Sequence, residues 1–167
     1  MTCFAVRTAG KPTRHVSMTP HDPMTQDVST SPEAPMNAEP TADGREVRLV
    51  HPLPGLPGLT SFRLRGLEDS GVLFSLESAD SDVTLLLAAP WAFFPDYAPV
   101  LSDEDVDLLG LAGADDAMLF VVLTPGETAS GSTANLLAPI VVNRVDDRAV
   151  QVLLSGTDHP VRAPLAA

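Results

Sequence analysis

The chain has 167 residues, 44 % of them hydrophobic, and carries 22 acids against 10 Lys plus Arg, a formal net charge of −12. That length suits one ordinary domain and not two. The charge excludes nucleic acid and anionic membrane as direct partners, since both demand clustered cations, and favours encounter with basic proteins.

Residues 1–44 differ from the rest. They hold six of the 16 prolines and four of the five methionines (Met1, Met18, Met24, Met36). Ser, Thr, Pro and Asp dominate without periodicity, so the segment buries too little apolar surface to offset its chain entropy and is expected to be disordered. The methionines also allow a later translation start, at Met18, Met24 or Met36. Cys3 is the chain's single cysteine, which leaves no intrachain disulfide framework. The apolar opening is too short for a signal-peptide core, and no run approaches the roughly 20 residues of a membrane helix. Cytoplasm is the expected compartment.

The body, 45–167, reads as short strands between turn signals. Arg45–Val50 alternates and forms the first strand. His51–Gly58, with three prolines and two glycines, is a rigid irregular loop. Ser61–Arg65 alternates again, and Val72–Ser78 does so in part. Val83–Ala88 and Ala117–Leu123 are continuous apolar runs of strand length, which implies that both of their faces are covered. Pro90–Tyr97 holds Trp91, Phe93, Phe94 and Tyr97, half of the eight aromatics, and is expected either to plug the open end of a barrel or to anchor a partner at its rim.

One segment has helical signals. Ser102 is a suitable N-cap, Asp103, Glu104 and Asp105 occupy the first turn where the dipole favours anions, and Gly110 ends the helix. Thr133–Asn143 turns from polar to apolar. Pro139 and the β-branched Ile140-Val141-Val142 exclude a helix, so the segment is extended and bends at Pro139. The polar run 143–147 supplies a turn, and Arg148–Leu154 returns as a strand to make the last hairpin. The fold class is all-β: a small antiparallel barrel or meander with one short helix.

Little here carries reaction chemistry. Ser155, Asp158 and His159 lie close in sequence, yet no Gly-x-Ser-x-Gly elbow surrounds the serine, and the stretch reads as ordinary turn chemistry. His15, His21, His51 and His159 lack metal-ligand spacing. Gly126–Ser132 is a small polar loop without the lysine of a phosphate loop. Catalytic residues, metal and cofactor are therefore all expected to be none. What remains is the aromatic element and the stretch Asp96–Asp116, which has seven acids and no Lys or Arg. A charge run is most simply a solvated face; beside aromatics it also suits docking of a basic partner.

Five elements in order give a family resemblance. Leu56-Pro-Gly-Leu59 with Ser61-Phe62, Phe74-Ser-Leu-Glu-Ser78, Pro90–Tyr97 with its Asp96-Tyr97 pair, the block Asn135–Asn143, and Gln151-Val-Leu-Leu154 together resemble the flagellar assembly factor FliW family from about residue 49 to 162. Glu77 stands where the family more often has Gln, and residues 1–44 have no counterpart in this pattern.

The resemblance implies a regulator without enzymatic activity. Family members bind CsrA, a small basic translational repressor of flagellin, and relieve repression; flagellin in turn sequesters the factor until it is exported. On this reading Asp96, Asp103, Glu104, Asp105 and Asp107 would steer CsrA, Tyr97 would anchor it, and Asn135 and Asn143, flanking the final hairpin, would face flagellin. The alternatives are a small β-barrel enzyme binding a flavin or other phosphorylated cofactor, and an acidic interaction module unrelated to flagella. Against the enzyme, the body has no lysine and only seven arginines to surround a phosphate.

Overall fold

Alternation along Arg45–Leu49 (β1) and Ser61–Gly66 (β2) sends Val47, Leu49, Phe62 and Leu64 to one face and Arg48 and Arg63 to the other. That two-residue period is what a half-buried strand requires. In the computed structural model, which describes residues 44–165, Leu73–Ser78 (β3) and Thr84–Ala88 (β4) follow, with consecutive residues buried on both faces. Ala117–Thr124 (β5), Thr133–Ala134 (β6), Ile140–Asn143 (β7), Arg148–Gln151 (β8) and Ala163–Pro164 (β9) complete the strands. The segment expected to be disordered lies, apart from Gly44, outside the described residues.

Seven strands close a ring in the order β1-β2-β3-β4-β5-β7-β8, and β8 returns to β1. Every pairing in the ring is antiparallel except β1 with β8, where Arg48 lies opposite Arg148 and Leu49 opposite Ala149. Closure removes the exposed edges that an open sheet would present. β6 and β9 form a short extension beside β5, so the β7–β8 hairpin is not the final element.

Two apolar clusters share the walls of β4, β5, β7 and β8. Leu87, Phe120, Ile140, Val142 and Ala149 join Val47, Phe62, Leu64, Phe74 and Leu76 inside the ring. Their neighbours Ala88, Val121, Val141 and Val150 face outward, and pack under Tyr97, Leu101, Leu109, Leu111, Leu136 and Leu154. This is why β5 and β7 read as unbroken apolar runs: one wall of the barrel is buried on both faces. The aromatic segment accordingly clads the outside of that wall, with Phe93 and Phe94 packed on the outer cluster, instead of plugging an open end.

The cladding contains the α-helix among the described residues, Asp103–Leu109 (α1). Ser102 Oγ accepts the Asp105 N–H at 3.1 Å and donates to the Asp105 carboxylate at 2.5 Å, a reciprocal N-cap. Gly110 stops the helix in the left-handed region, φ +66°, where a side chain costs about 1–2 kcal/mol. A Cβ there would also lie 2.4 Å from the Arg148 guanidinium.

Candidate functional site

The conspicuous block Asn135–Asn143 turns out to be a structural fastening. Residues 133–143 run antiparallel to β5 in two registers, Leu123 opposite Ala134 and Phe120 opposite Ile140, which differ by three residues. The excess is taken up between 135 and 139. Asn135 Oδ1 accepts the N–H groups of Leu137 and Ala138, both at 3.1 Å, and so closes the bulge on itself. The main chain of β8's continuation supplies further ties: Val152 N–H to the Pro139 carbonyl and Leu154 N–H to that of Leu137, both at 2.9 Å. Gln151 Nε2 holds the Ala138 carbonyl at 3.1 Å. The strand expected over 148–154 stops at Gln151 because its partner is bulged at that level.

Tyr97 belongs to the same fastening. It is 5 % exposed, and its hydroxyl donates to the Leu136 carbonyl at 2.7 Å. The ring meets His159 edge to face, centroids 5.0 Å apart. A side chain so enclosed cannot serve as an exposed anchor for a partner; the expectation for Tyr97 is corrected by its burial. Burial also pushes its hydroxyl well above the ordinary value near 10, because the phenolate would lose its water. Folding thus holds the proton: the contribution is complete below the unfolded pKa and fades as pH rises past it. Since the chain has one tyrosine, an ultraviolet titration reads Tyr97 alone. We expect tyrosinate in the folded protein only well above pH 10, and an alkaline loss of stability that Tyr97→Phe lacks. Titration at the ordinary value in the native protein would contradict this.

Asn143, at the other end of the block, is 2 % exposed. Its Nδ2 donates to the carbonyl of Leu109 at 2.8 Å and, more weakly, of Gly110 at 3.4 Å, while Oδ1 accepts the Val145 N–H at 2.8 Å. Arg148 Nη1 adds a bond to the Leu108 carbonyl at 3.2 Å, supported by Asp146 at 2.6 Å from Nε. The C-terminal carbonyls of α1, orphaned in any helix, are thus satisfied from the β7–β8 turn. A cation also stands where the dipole favours one. Asn143 has no surface left for a partner, and Asn135 is half-buried with its oxygen committed, so neither suits the flagellin contact expected of it.

The acids fare differently. Asp103, Glu104 and Asp107 are exposed on the outer side of α1, with Asp105 half-exposed at the cap. Asp96 is exposed on the segment leading to the helix, and no Lys or Arg lies between Asp96 and Asp116. Four of the five steering candidates are therefore gathered on one short helix clamped to the barrel wall. Of the aromatics in this segment, Trp91 is the one with substantial free surface, 50 % exposed, and Val100 nearby in sequence is 61 % exposed. Sequence reasoning named the aromatic element and chose Tyr97 from it, whereas the member with free surface is Trp91.

Among the described residues no group of three or more His, Cys, Asp and Glu could hold a metal ion. His159 is turned toward Tyr97, and Thr157 caps the Leu154 carbonyl at 2.8 Å within the same turn. No described helix is long and apolar enough to cross a membrane.

Comparison with known proteins agrees with the geometry. The family model described as FliW protein matches residues 34–165. Flagellar assembly factor FliW of Bacillus licheniformis is 36 % identical over 114 residues, covering 68 % of this chain and 80 % of that protein. The protein of the same name from Desulfitobacterium hafniense strain Y51 is 36 % identical over 120 residues, covering 71 % and 79 %. A crystal structure of the flagellar assembly factor FliW superposes with a TM-score of 0.69 at 31 % identity, covering 73 % of this chain and 86 % of that one.

Proposed function

The chain belongs to the FliW protein family, and from that premise we propose that it is a cytoplasmic partner switch, without enzymatic activity, that captures the repressor CsrA and is itself captured by flagellin. It is a flagellar assembly factor; the finer assignment concerns whom it binds. In this reading the free protein withdraws CsrA from flagellin messenger. Newly made flagellin competes for it, and export of flagellin restores the free pool.

The observation that carries the reading is the exposed acidic face of α1, held rigid on the barrel wall by Asn143 and Arg148. A basic protein approaching it is steered by the potential of these acids, and rim charges of this kind raise the rate of association more than the lifetime. Trp91 takes the anchoring role first given to Tyr97, since a large half-exposed aromatic is the sort of side chain that dominates interface energetics. The fastening residues Asn135 and Asn143 act behind the surface by fixing its shape.

Calorimetric titration of the purified chain with CsrA, followed by flagellin monomer, tests the proposal. The expected result is a CsrA complex that weakens as salt is raised and is dissolved by flagellin. Absence of binding to both proteins at low salt would end it.

A further inference from the structure

We propose that the mouth of the barrel ringed by Leu67, Trp91 and Val145 is a docking site for a basic partner segment that presents an apolar side chain. The strand registers bring the starts of β1, β3, β5 and β8 and the ends of β2, β4 and β7 to one end of the ring. The other end is stopped by the chain itself: Leu53, from the Pro-rich loop between β1 and β2, is buried in the inner cluster, with Leu56 and Leu59 packed against it. Neither turn at the mouth, β2–β3 or β7–β8, contributes a residue to that cluster. These turns instead hold apolar side chains out to solvent. Leu67 is 51 % and Val145 73 % exposed, and half-exposed Trp91 follows β4 at the same end. Three of the six large hydrophobics left exposed among the described residues thus stand together. With strands about 4.8 Å apart, neighbours among the three lie about 7 to 14 Å from one another around the ring. Single exposed apolar residues are ordinary, whereas a group of them rimmed by polar ones marks a binding surface.

A second feature lies within the mouth. The alternation that turns Val47 inward does the same for Arg45, and Arg45 is engaged by Asp147 and the Arg144 carbonyl. The Arg144 N–H donates to the Asp116 carbonyl at 2.8 Å. The pairing of β7 with β5 therefore runs one residue past Asn143, and Arg144 keeps the inward parity of Val142. Its Nε is buried and, among the described residues, has no hydrogen-bond partner. A donor in that position is costly to leave unmet. The main-chain carbonyl of an incoming segment would satisfy it.

The charges choose the occupant. Glu68 and Asp69 follow Leu67 in its turn, and Asp115 adjoins the residue whose carbonyl holds Arg144; all three are exposed, with no ion pair among the described residues. Arg45 and Arg148 are already paired with Asp147 and Asp146. The rim thus attracts cations, while Arg144 repels one from the mouth itself. What fits is an apolar side chain that enters, with its flanking cations held at the rim. That CsrA supplies such a segment rests on the function proposed above; the surface itself does not.

Trp91 is the only tryptophan in the sequence, so its fluorescence in the full chain reports the mouth directly. The probe is a short synthetic peptide with a central leucine pair flanked by lysines, compared with companions carrying Ser for Leu or Glu for Lys. At about 0.15 M salt we expect the Lys–Leu peptide to move Trp91 emission to the blue and to shield it from acrylamide, and neither companion to do so. Leu67→Ser with Val145→Ser, both at exposed positions, should weaken that binding about tenfold. Asp103→Asn with Glu104→Gln and Asp107→Asn should leave the shielding in place. Binding that leaves Trp91 open to acrylamide, equal shielding by the Glu peptide, no shielding at all, or shielding that grows with the protein's own concentration, as in a dimer through the mouth, would each overturn the proposal. CsrA does not enter the measurement, so its failure and the failure of CsrA capture are separable.

Discussion

Alanine at Asn143 is expected to lower the stability of the barrel by about 3 kcal/mol and its Tm by on the order of 10 °C. The side chain makes buried bonds to Leu109 and Val145 and a longer one to Gly110. Truncation would leave the α1 carbonyls and the Val145 N–H facing a cavity, and the full desolvation cost of such groups exceeds the modest net worth of each bond. Among the described residues Arg148 then remains as the one side-chain hydrogen bond from outside to the helix end, so α1 should loosen before the ring does. Thermal unfolding measures the first effect, and amide exchange across 103–111 measures the second. A variant with wild-type Tm would show that the helix is held by apolar packing alone.

Neutralising the outer face of α1 tests function with its scaffold preserved. The combination Asp103→Asn, Glu104→Gln and Asp107→Asn leaves the Ser102–Asp105 cap in place, and each replacement keeps its side-chain volume. We expect association with CsrA to slow roughly tenfold at low ionic strength, with the difference shrinking as salt approaches 0.5 M, because steering is screened over a Debye length. Dissociation should change little, since exposed charges contribute little to lifetime. Stopped-flow rates at several salt concentrations decide the matter. Equal association rates for the variant and the wild type at low salt would remove α1 from the docking surface.

Much of the fold was legible in the residues. The period-two alternation of β1 and β2, the unbroken apolar runs of β5 and β7, and the Ser102-to-Gly110 bracket of α1 each reflect a local constraint that the sequence states directly. The bend at Pro139 did so as well. The bulge in the same block did not, because it depends on partners far along the chain: Tyr97, Gln151 and the continuation of β8. The cladding of the outer wall was hidden for a related reason. An aromatic cluster announces that it will be covered, but not which face of which strand will cover it.

The site was legible in its charge and illegible in its accessibility. Asp103, Glu104 and Asp107 lie on a short helix whose apolar side is spoken for by Leu109, so their exposure followed from the helical period. Tyr97 and Asn143, read as contact residues, are polar groups whose partners are buried carbonyls. A lone polar residue in an apolar block signals an internal bond as readily as an external one. The Arg148 cap could have been suspected from the absence of any cation in the last turn of α1, a deficit that a neighbouring element was bound to correct.

The parallel seam between β1 and β8 sets the order of events during synthesis. Arg48 must find Arg148 across a hundred residues, so the ring stays open while the ribosome is still producing the second half of the domain. Loop-closure entropy places such topologies among slow folders. Until β8 emerges, the nascent β1–β4 meander leaves the edge of β1 unpaired, a template on which another chain can add.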